Sequence, residues 1–166
     1  MDMRYSVLMS VYNKENPEYF RAALSSIFHQ TVLPTEIVLV CDGPLTAALD
    51  TVILEYEDSC SKDTPRSTRT DMDNRVTPDG KLDMPGTVFR VVRLAENGGL
   101  GKALNEGLRH CSYEWIARMD TDDLAAPDRC EKQLRYLERH PDVDALSGTI
   151  AEFQGDDLDV QMAEKA

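Results

Sequence analysis

Glu36-Ile37-Val38-Leu39-Val40-Cys41-Asp42-Gly43-Pro44 is the stretch that decides the fold. Its centre, Ile37 to Val40, is apolar at every position, so both faces of the strand must be covered, as in a parallel sheet with helices on each side. Asp42-Gly43-Pro44 then stops the strand with turn-forming residues. Upstream, Tyr5-Ser6-Val7-Leu8-Met9-Ser10-Val11 reads as a first strand that empties into Tyr12-Asn13-Lys14. Between the two strands, Asn16-Pro17-Glu18 supplies an N-cap, a first-turn proline and a first-turn acid. Phe20, Ala23, Leu24, Ile27 and Phe28 follow at helical spacing, predicting a helix that ends near Gln30.

Downstream, Leu45, Ala48, Leu49, Val52, Ile53 and Tyr56 form one stripe, predicting a second helix from about 46 to 56. Residues 57–86 are dense in Asp, Arg, Thr, Ser and Pro and poor in large apolar side chains, so they are expected to be a mobile, disordered insertion. A third strand is expected over 88–94. Asn97-Gly98-Gly99 opens a third helix, whose stripe is Leu100, Ala103, Leu104, Gly107, Leu108 and Cys111. Trp115-Ile116-Ala117-Arg118-Met119 is a fourth strand. A fourth helix is expected over 127–140, closed by Pro141, and a fifth strand over 143–147. The β-α alternation predicts an α/β fold: one domain over 1–166, an open, mostly parallel sheet with helices on both faces, cut off after about the fifth strand.

Composition narrows the function classes. The apolar fraction of 42% suits a folded soluble domain. No uncharged stretch approaches the roughly 20 residues of a membrane helix, and the start lacks the layout of a secretory signal. A cytoplasmic location is the expectation, with peripheral association at the inner face of the plasma membrane as an extension of it. A net charge of −12 disfavours nucleic acid, whose binding relies on Lys and Arg neutralising phosphates. Cys41, Cys60, Cys111 and Cys130 form no C-x-x-C pair and read as reduced structural thiols, while His29, His110 and His140 are scattered.

In an open α/β sheet, ligands collect beyond the carboxyl ends of the strands. Three polar groups fall there: 10–14 after the first strand, Asp42 after the second, and Asp120-Thr121-Asp122-Asp123 after the fourth. Asp120 and Asp122 lie two apart, so in an extended segment they point to one side, where hard carboxylate oxygens share a Mg²⁺ or Mn²⁺ that also holds a diphosphate. Like charges crowded at a strand end are costly without a cation, which favours a ligand role for this pair. Asp123 has two readings, ligand contact or cap of the following helix. Asp42 likewise is either a turn former with Gly43 or an acceptor for a base or ribose. Lys14 and Arg118 are candidate diphosphate contacts, or ordinary surface cations. Asn97-Gly98-Gly99-Leu100-Gly101-Lys102 lacks the spacing of a phosphate loop, although its glycines permit close backbone approach at a helix start. No G-x-G-x-x-G follows the first strand, which disfavours a nicotinamide dehydrogenase.

Ser6 to Asn13, Ser26 to Thr31, Glu36 to Gly43, Asn97 to Leu108 and Glu114 to Arg129 together resemble the family 2 glycosyltransferases of the GT-A fold. The resemblance implies transfer of a sugar from a UDP- or GDP-sugar to a hydroxyl of a glycan or lipid-linked acceptor, with inversion, in surface polysaccharide synthesis. It matches Ser10 and Tyr12 to the loop beside the nucleotide and Asp42 to the acid that holds the base. Asp120 and Asp122 match the D-x-D motif for ribose and metal-diphosphate, and Asp123 the acid after it. The catalytic general base is expected beyond Ala166, so weak nucleotide binding at most and poor transfer are expected of the isolated chain. The alternative from another class is a truncated, non-catalytic nucleotide-binding or interaction module with an exposed sheet edge.

Overall fold

A computed structural model describes residues 4–60, 86–153 and 161–165. It divides into two compact units, Met1–Cys130 and Glu131–Ala166. The first is built from β1 (Tyr5–Val11), α1 (Pro17–Phe28), β2 (Glu36–Cys41), α2 (Ala47–Ser59), β3 (Val88–Arg93), α3 (Leu100–Leu108) and β4 (Trp115–Arg118). The four strands pair in the order β3-β2-β1-β4, every pairing parallel. β1 and β2 are central and almost wholly buried, which is why their sequences are nearly continuous in apolar residues.

The period of two in each strand sorts the core onto two faces. Leu8, Val38 and Val40 pack with Ala103 of α3 on one, bordered by Val92, Leu104 and Ile116. Burying each such aliphatic side chain stabilises by about 1.5–3 kcal/mol. On the other face, Phe28 of α1 stacks on Tyr56 of α2 at 5.0 Å between ring centroids and tilts against Phe89 of β3 at 6.5 Å. Phe89 pairs in register with Ile37, which places this aromatic cluster opposite α3. The expected helices on both faces are therefore present.

Local chemistry sets the helix starts. The Asn16 side chain accepts hydrogen bonds from the amides of Glu18 and Tyr19, with Pro17 in the first turn, and Thr46 caps α2 through the Leu49 amide. α2 runs to Ser59, three residues beyond the expected end, so Glu57, Asp58 and Ser59 are helical rather than part of a loop. Residues 61–85, the bulk of the expected insertion, lie outside the described residues. Gly107 of α3 sits so close to the sheet that a Cβ there would collide with Leu8 and come within 2.8 Å of Val40. All four cysteines carry free thiols, and burial pushes Cys41 up to about 11 and Cys60 up to about 12.

α4 (Arg129–Arg139) begins two residues later than expected, and the second unit adds an antiparallel pair, β5 (Ile150–Phe153) with β6 (Gln161–Lys165). The expected fifth parallel strand over 143–147 is not formed: those residues are irregular, and 144–147 are exposed. A lone apolar run without a neighbouring strand has nowhere to place its backbone hydrogen bonds except water. Among the described residues, no helix is long and apolar enough to cross a membrane.

Candidate functional site

The chain steps from β1 to β2 to β3 in one direction and then places β4 on the far side of β1. The order therefore reverses between β1 and β4, and a crevice opens where their carboxyl ends diverge. Because every strand is parallel, the segments after β1, β2 and β4 share one rim. Asp42 leaves β2 and Asp120 follows β4, two strand spacings or about 10 Å apart across β1. All the predicted site residues lie on this rim or at the strand ends that form it.

At the β1–β4 crevice, the Thr121 hydroxyl is buried and donates to Glu15 Oε2 at 2.7 Å and, at 3.4 Å, to the Ser10 carbonyl. These contacts fasten the acidic segment to the loop after β1. The Met119 amide donates to the Leu8 carbonyl, and Arg129 donates to the Arg118 carbonyl, so β4 ends in a fixed place. Around that anchor, Asp120 is half-buried while Asp122 and Asp123 are exposed. Arg118 pairs with Asp120 at 2.5 Å, with both side chains open to solvent, an arrangement worth at most about 1 kcal/mol. Ser10 is half-buried at the end of β1; Tyr12, 42% exposed, and Lys14 stand beyond it on the surface.

The carboxylates crowd one another. Although much of Asp123 is exposed, partial burial of its carboxyl first, then the charges of Asp122 and Asp120, push that carboxyl above the usual aspartate range, and Arg118 and Arg129 oppose this. Among the described residues, no three Asp, Glu, His or Cys side chains converge on one point.

Asp42 is placed differently. It is buried, and its two carboxylate oxygens accept from the Gly98 amide at 2.7 Å and the Gly99 amide at 2.9 Å, while its carbonyl accepts from the Asn97 side chain at 3.2 Å. Gly99, the N-cap of α3, offers no side chain, so Asp42 at the end of β2 serves as that helix's cap. Gly43 makes the approach possible. Its φ is +86°, and a Cβ there would lie 2.7 Å from the Asn97 nitrogen. The glycine-rich start of α3 thus already holds an anion, the protein's own.

Sequence reasoning did not assign Glu15, Thr121, Ser26, Gln30 or Asn97 to the site. Gln30 carried a signal, since it is a polar residue one turn beyond Ile27 on the apolar stripe of α1. Its burial is complete.

The model of the family described as "Glycosyl transferase family 2" matches residues 82–164, half of the chain. An uncharacterized glycosyltransferase of Haemophilus influenzae is 44% identical over 151 residues, covering 91% of this chain and 46% of the relative. The amylovoran biosynthesis glycosyltransferase AmsE of Erwinia amylovora is 38% identical, covering 90% of this chain and 46% of the relative. The UDP-Gal:alpha-D-GlcNAc-diphosphoundecaprenol beta-1,3-galactosyltransferase of Escherichia coli is 31% identical, covering 91% and 45%. The chain thus spans a little under half the length of these relatives. Among solved structures, S. aureus TarS 1-349 in complex with UDP-GlcNAc superposes with a TM-score of 0.58 at 23% identity, covering 84% of this chain and 32% of that one. The mannosyltransferase PcManGT from Pyrobaculum calidifontis, in complex with GDP-Man and Mn2+, gives 0.57 at 22% identity, covering 81% and 32%. These two likenesses concern the fold. The family-model match over half of its length shows that the chain belongs to glycosyl transferase family 2.

Proposed function

We propose that this chain forms the donor-binding half of an inverting glycosyltransferase. The donor is a UDP- or GDP-sugar, and the acceptor is a hydroxyl of a glycan or lipid-linked saccharide in surface polysaccharide synthesis. The observation that carries the reading is the shared rim: Ser10 and Tyr12, Asp42, and Asp120 to Asp123 leave three neighbouring parallel strands at the switch point of the sheet. The names of the relatives and the ligands of the fold neighbours support the same class.

The donor set suits a hard divalent cation, Mg²⁺ or Mn²⁺. Burial and then the charges of Asp122 and Asp120 raise the Asp123 carboxyl, so a cation among these side chains would relieve part of that cost, and carboxylate oxygens are the ligands such ions prefer. Asp120 and Asp122 would hold the ion, and when bound it offsets charge on the departing diphosphate. Asp120 also serves the ribose, and Asp123 lies beside it as a further acceptor. Arg118, held by an exposed pair, can exchange its carboxylate for a phosphate, and Lys14 is exposed in the loop after β1. Asp42, fixed by two amides, retains lone pairs on each oxygen for a base N–H. The group that deprotonates the acceptor is assigned to no residue of 1–166. The place of work is the cytoplasmic side of the membrane, by peripheral association.

Calorimetric titration with UDP and with GDP, in Mn²⁺ and in EDTA, tests this. Metal-dependent binding by the parent that Asp122→Ala weakens is the expected outcome. Binding that is indifferent to both metal and substitution would rule the assignment out.

A further inference from the structure

Directly after the acidic cluster, the chain from Ala125 to Cys130 lies against the end of α1, and four hydrogen bonds join them. The Ala125 amide donates to Ser26 Oγ at 3.0 Å, and that hydroxyl in turn donates to the Ala23 carbonyl at 2.7 Å. The Gln30 side chain donates to the Ala126 carbonyl at 2.8 Å and accepts from the Cys130 amide at 3.0 Å. The Thr31 amide donates to the Pro127 carbonyl at 2.8 Å. Gln30 also donates to the Ser26 carbonyl at 3.1 Å, so its amide uses both hydrogens and its oxygen within a site closed to solvent.

On the other side of the cluster, Thr121 is fastened to Glu15 and to Ser10. Asp122, Asp123 and Leu124 therefore form a short exposed span between two fixed points. A span held at both ends keeps two repelling carboxylates near each other, which free backbone would let drift apart.

We propose that Gln30, assisted by Ser26, is a positioning residue for the carboxylates of Asp120 to Asp123, holding the span so that Asp122 is presented to the cation and diphosphate. This rests on the donor-site reading above. Gln30 touches neither ligand; it acts through the backbone of Ala126 and Cys130. Supporting groups of this kind behind a metal ligand typically alter metal affinity by about 10-fold to 100-fold when removed. A purely structural glutamine would change stability without that selectivity.

The test compares Mn²⁺-dependent UDP and GDP binding and thermal stability in five chains: parent, Gln30→Met, Ser26→Ala, Asp122→Ala and Ser112→Ala. Gln30→Met roughly keeps the volume and removes the side-chain hydrogen bonds to Ser26, Ala126 and Cys130. Ser26→Ala is the milder change should Gln30→Met fold poorly. Ser112 lies at the amino edge of the sheet, where its hydroxyl donates to Glu36 at 3.0 Å, so its variant loses one part-buried hydrogen bond far from the rim. The expected result is a rise of about 10-fold or more in the Mn²⁺ needed for half-saturation in Gln30→Met. Ser26→Ala should show a smaller rise in the same direction, and Ser112→Ala parent-like binding whatever its melting temperature. Hydrogen exchange should quicken at the Ala125 and Cys130 amides in the first two variants alone. Parent-like metal dependence in Gln30→Met and Ser26→Ala, with Asp122→Ala defective, overturns the positioning role and leaves the donor site standing. Equal weakening in Ser112→Ala overturns it too, since stability alone would then account for the effect. A parent indistinguishable from Asp122→Ala overturns both readings.

Discussion

The two carboxylate oxygens of Asp42 accept from the Gly98 and Gly99 amides, so the acid that ends β2 also fixes the start of α3. The sequence put an acid after a sheet strand, with turn former and base acceptor as alternatives; neither foresees a carboxylate capping a helix some 56 residues later. That contact is set by the approach of Gly43 to Asn97, which no local pattern reveals. Asp42→Asn would set an NH₂ group against one of two amide donors, leaving a buried N–H without an acceptor. The expected cost is about 1–3 kcal/mol in urea unfolding, with weaker nucleotide binding. Asp123 yields a pH prediction. Its folded pKa lies above its unfolded value, so between the two the native state binds the extra proton, and stability falls as pH rises through that window. The penalty then persists at neutral pH. Asp123→Asn should therefore melt higher than the parent at pH 7 without metal, and the gap should close in strong acid. Mn²⁺ should shrink the gap at pH 7. A gap that widens on acidification would contradict the crowding.

At the scale of elements, β1 and β2 were legible residue for residue, because a strand buried on both faces leaves a continuous apolar run bounded by polar turns. α1 and α2 were legible from their stripes and caps, although Glu57 to Ser59 looked too polar to be helical: a solvent-facing last turn tolerates such residues at little cost. Val143 to Ser147 was misread for the opposite reason, since a few apolar residues imitate a strand whether or not a partner is present. The β5–β6 pairing went unread because its second strand, Gln-Met-Ala-Glu-Lys, has weak β propensity. The packing of α3 on β1 and β2 makes a sharper prediction. Gly107→Ala adds a methyl where Leu8 and Val40 leave no room, so overpacking of about 1–3 kcal/mol should outweigh the roughly 1 kcal/mol that alanine brings to a helix. Denaturant unfolding should show net destabilisation, while nucleotide binding by the folded fraction stays near that of the parent. A stabilised Gly107→Ala would mean that α3 sits farther from the sheet.

For the molecule as a whole, the strand order settled what the sequence could only suggest, that acidic residues 78 positions apart leave the sheet on one rim. Local spacing found the carboxylates, but only the crossover from β3 back to β4 put them beside the loop after β1. The buried hydrogen bonds that hold the 125–130 segment escaped notice because serine and glutamine near a helix end look like surface. The central claim is that a divalent cation sits on this rim against a diphosphate, and paramagnetic broadening of backbone amides by Mn²⁺ in the presence of UDP or GDP tests it most directly. The strands place their amino edge roughly 20 Å from the rim. The account predicts broadening at Ser10, Tyr12 and Asp120 to Asp123, with Glu36 and Ser112 still sharp; broadening centred on any other acidic surface, or none at all, would contradict it.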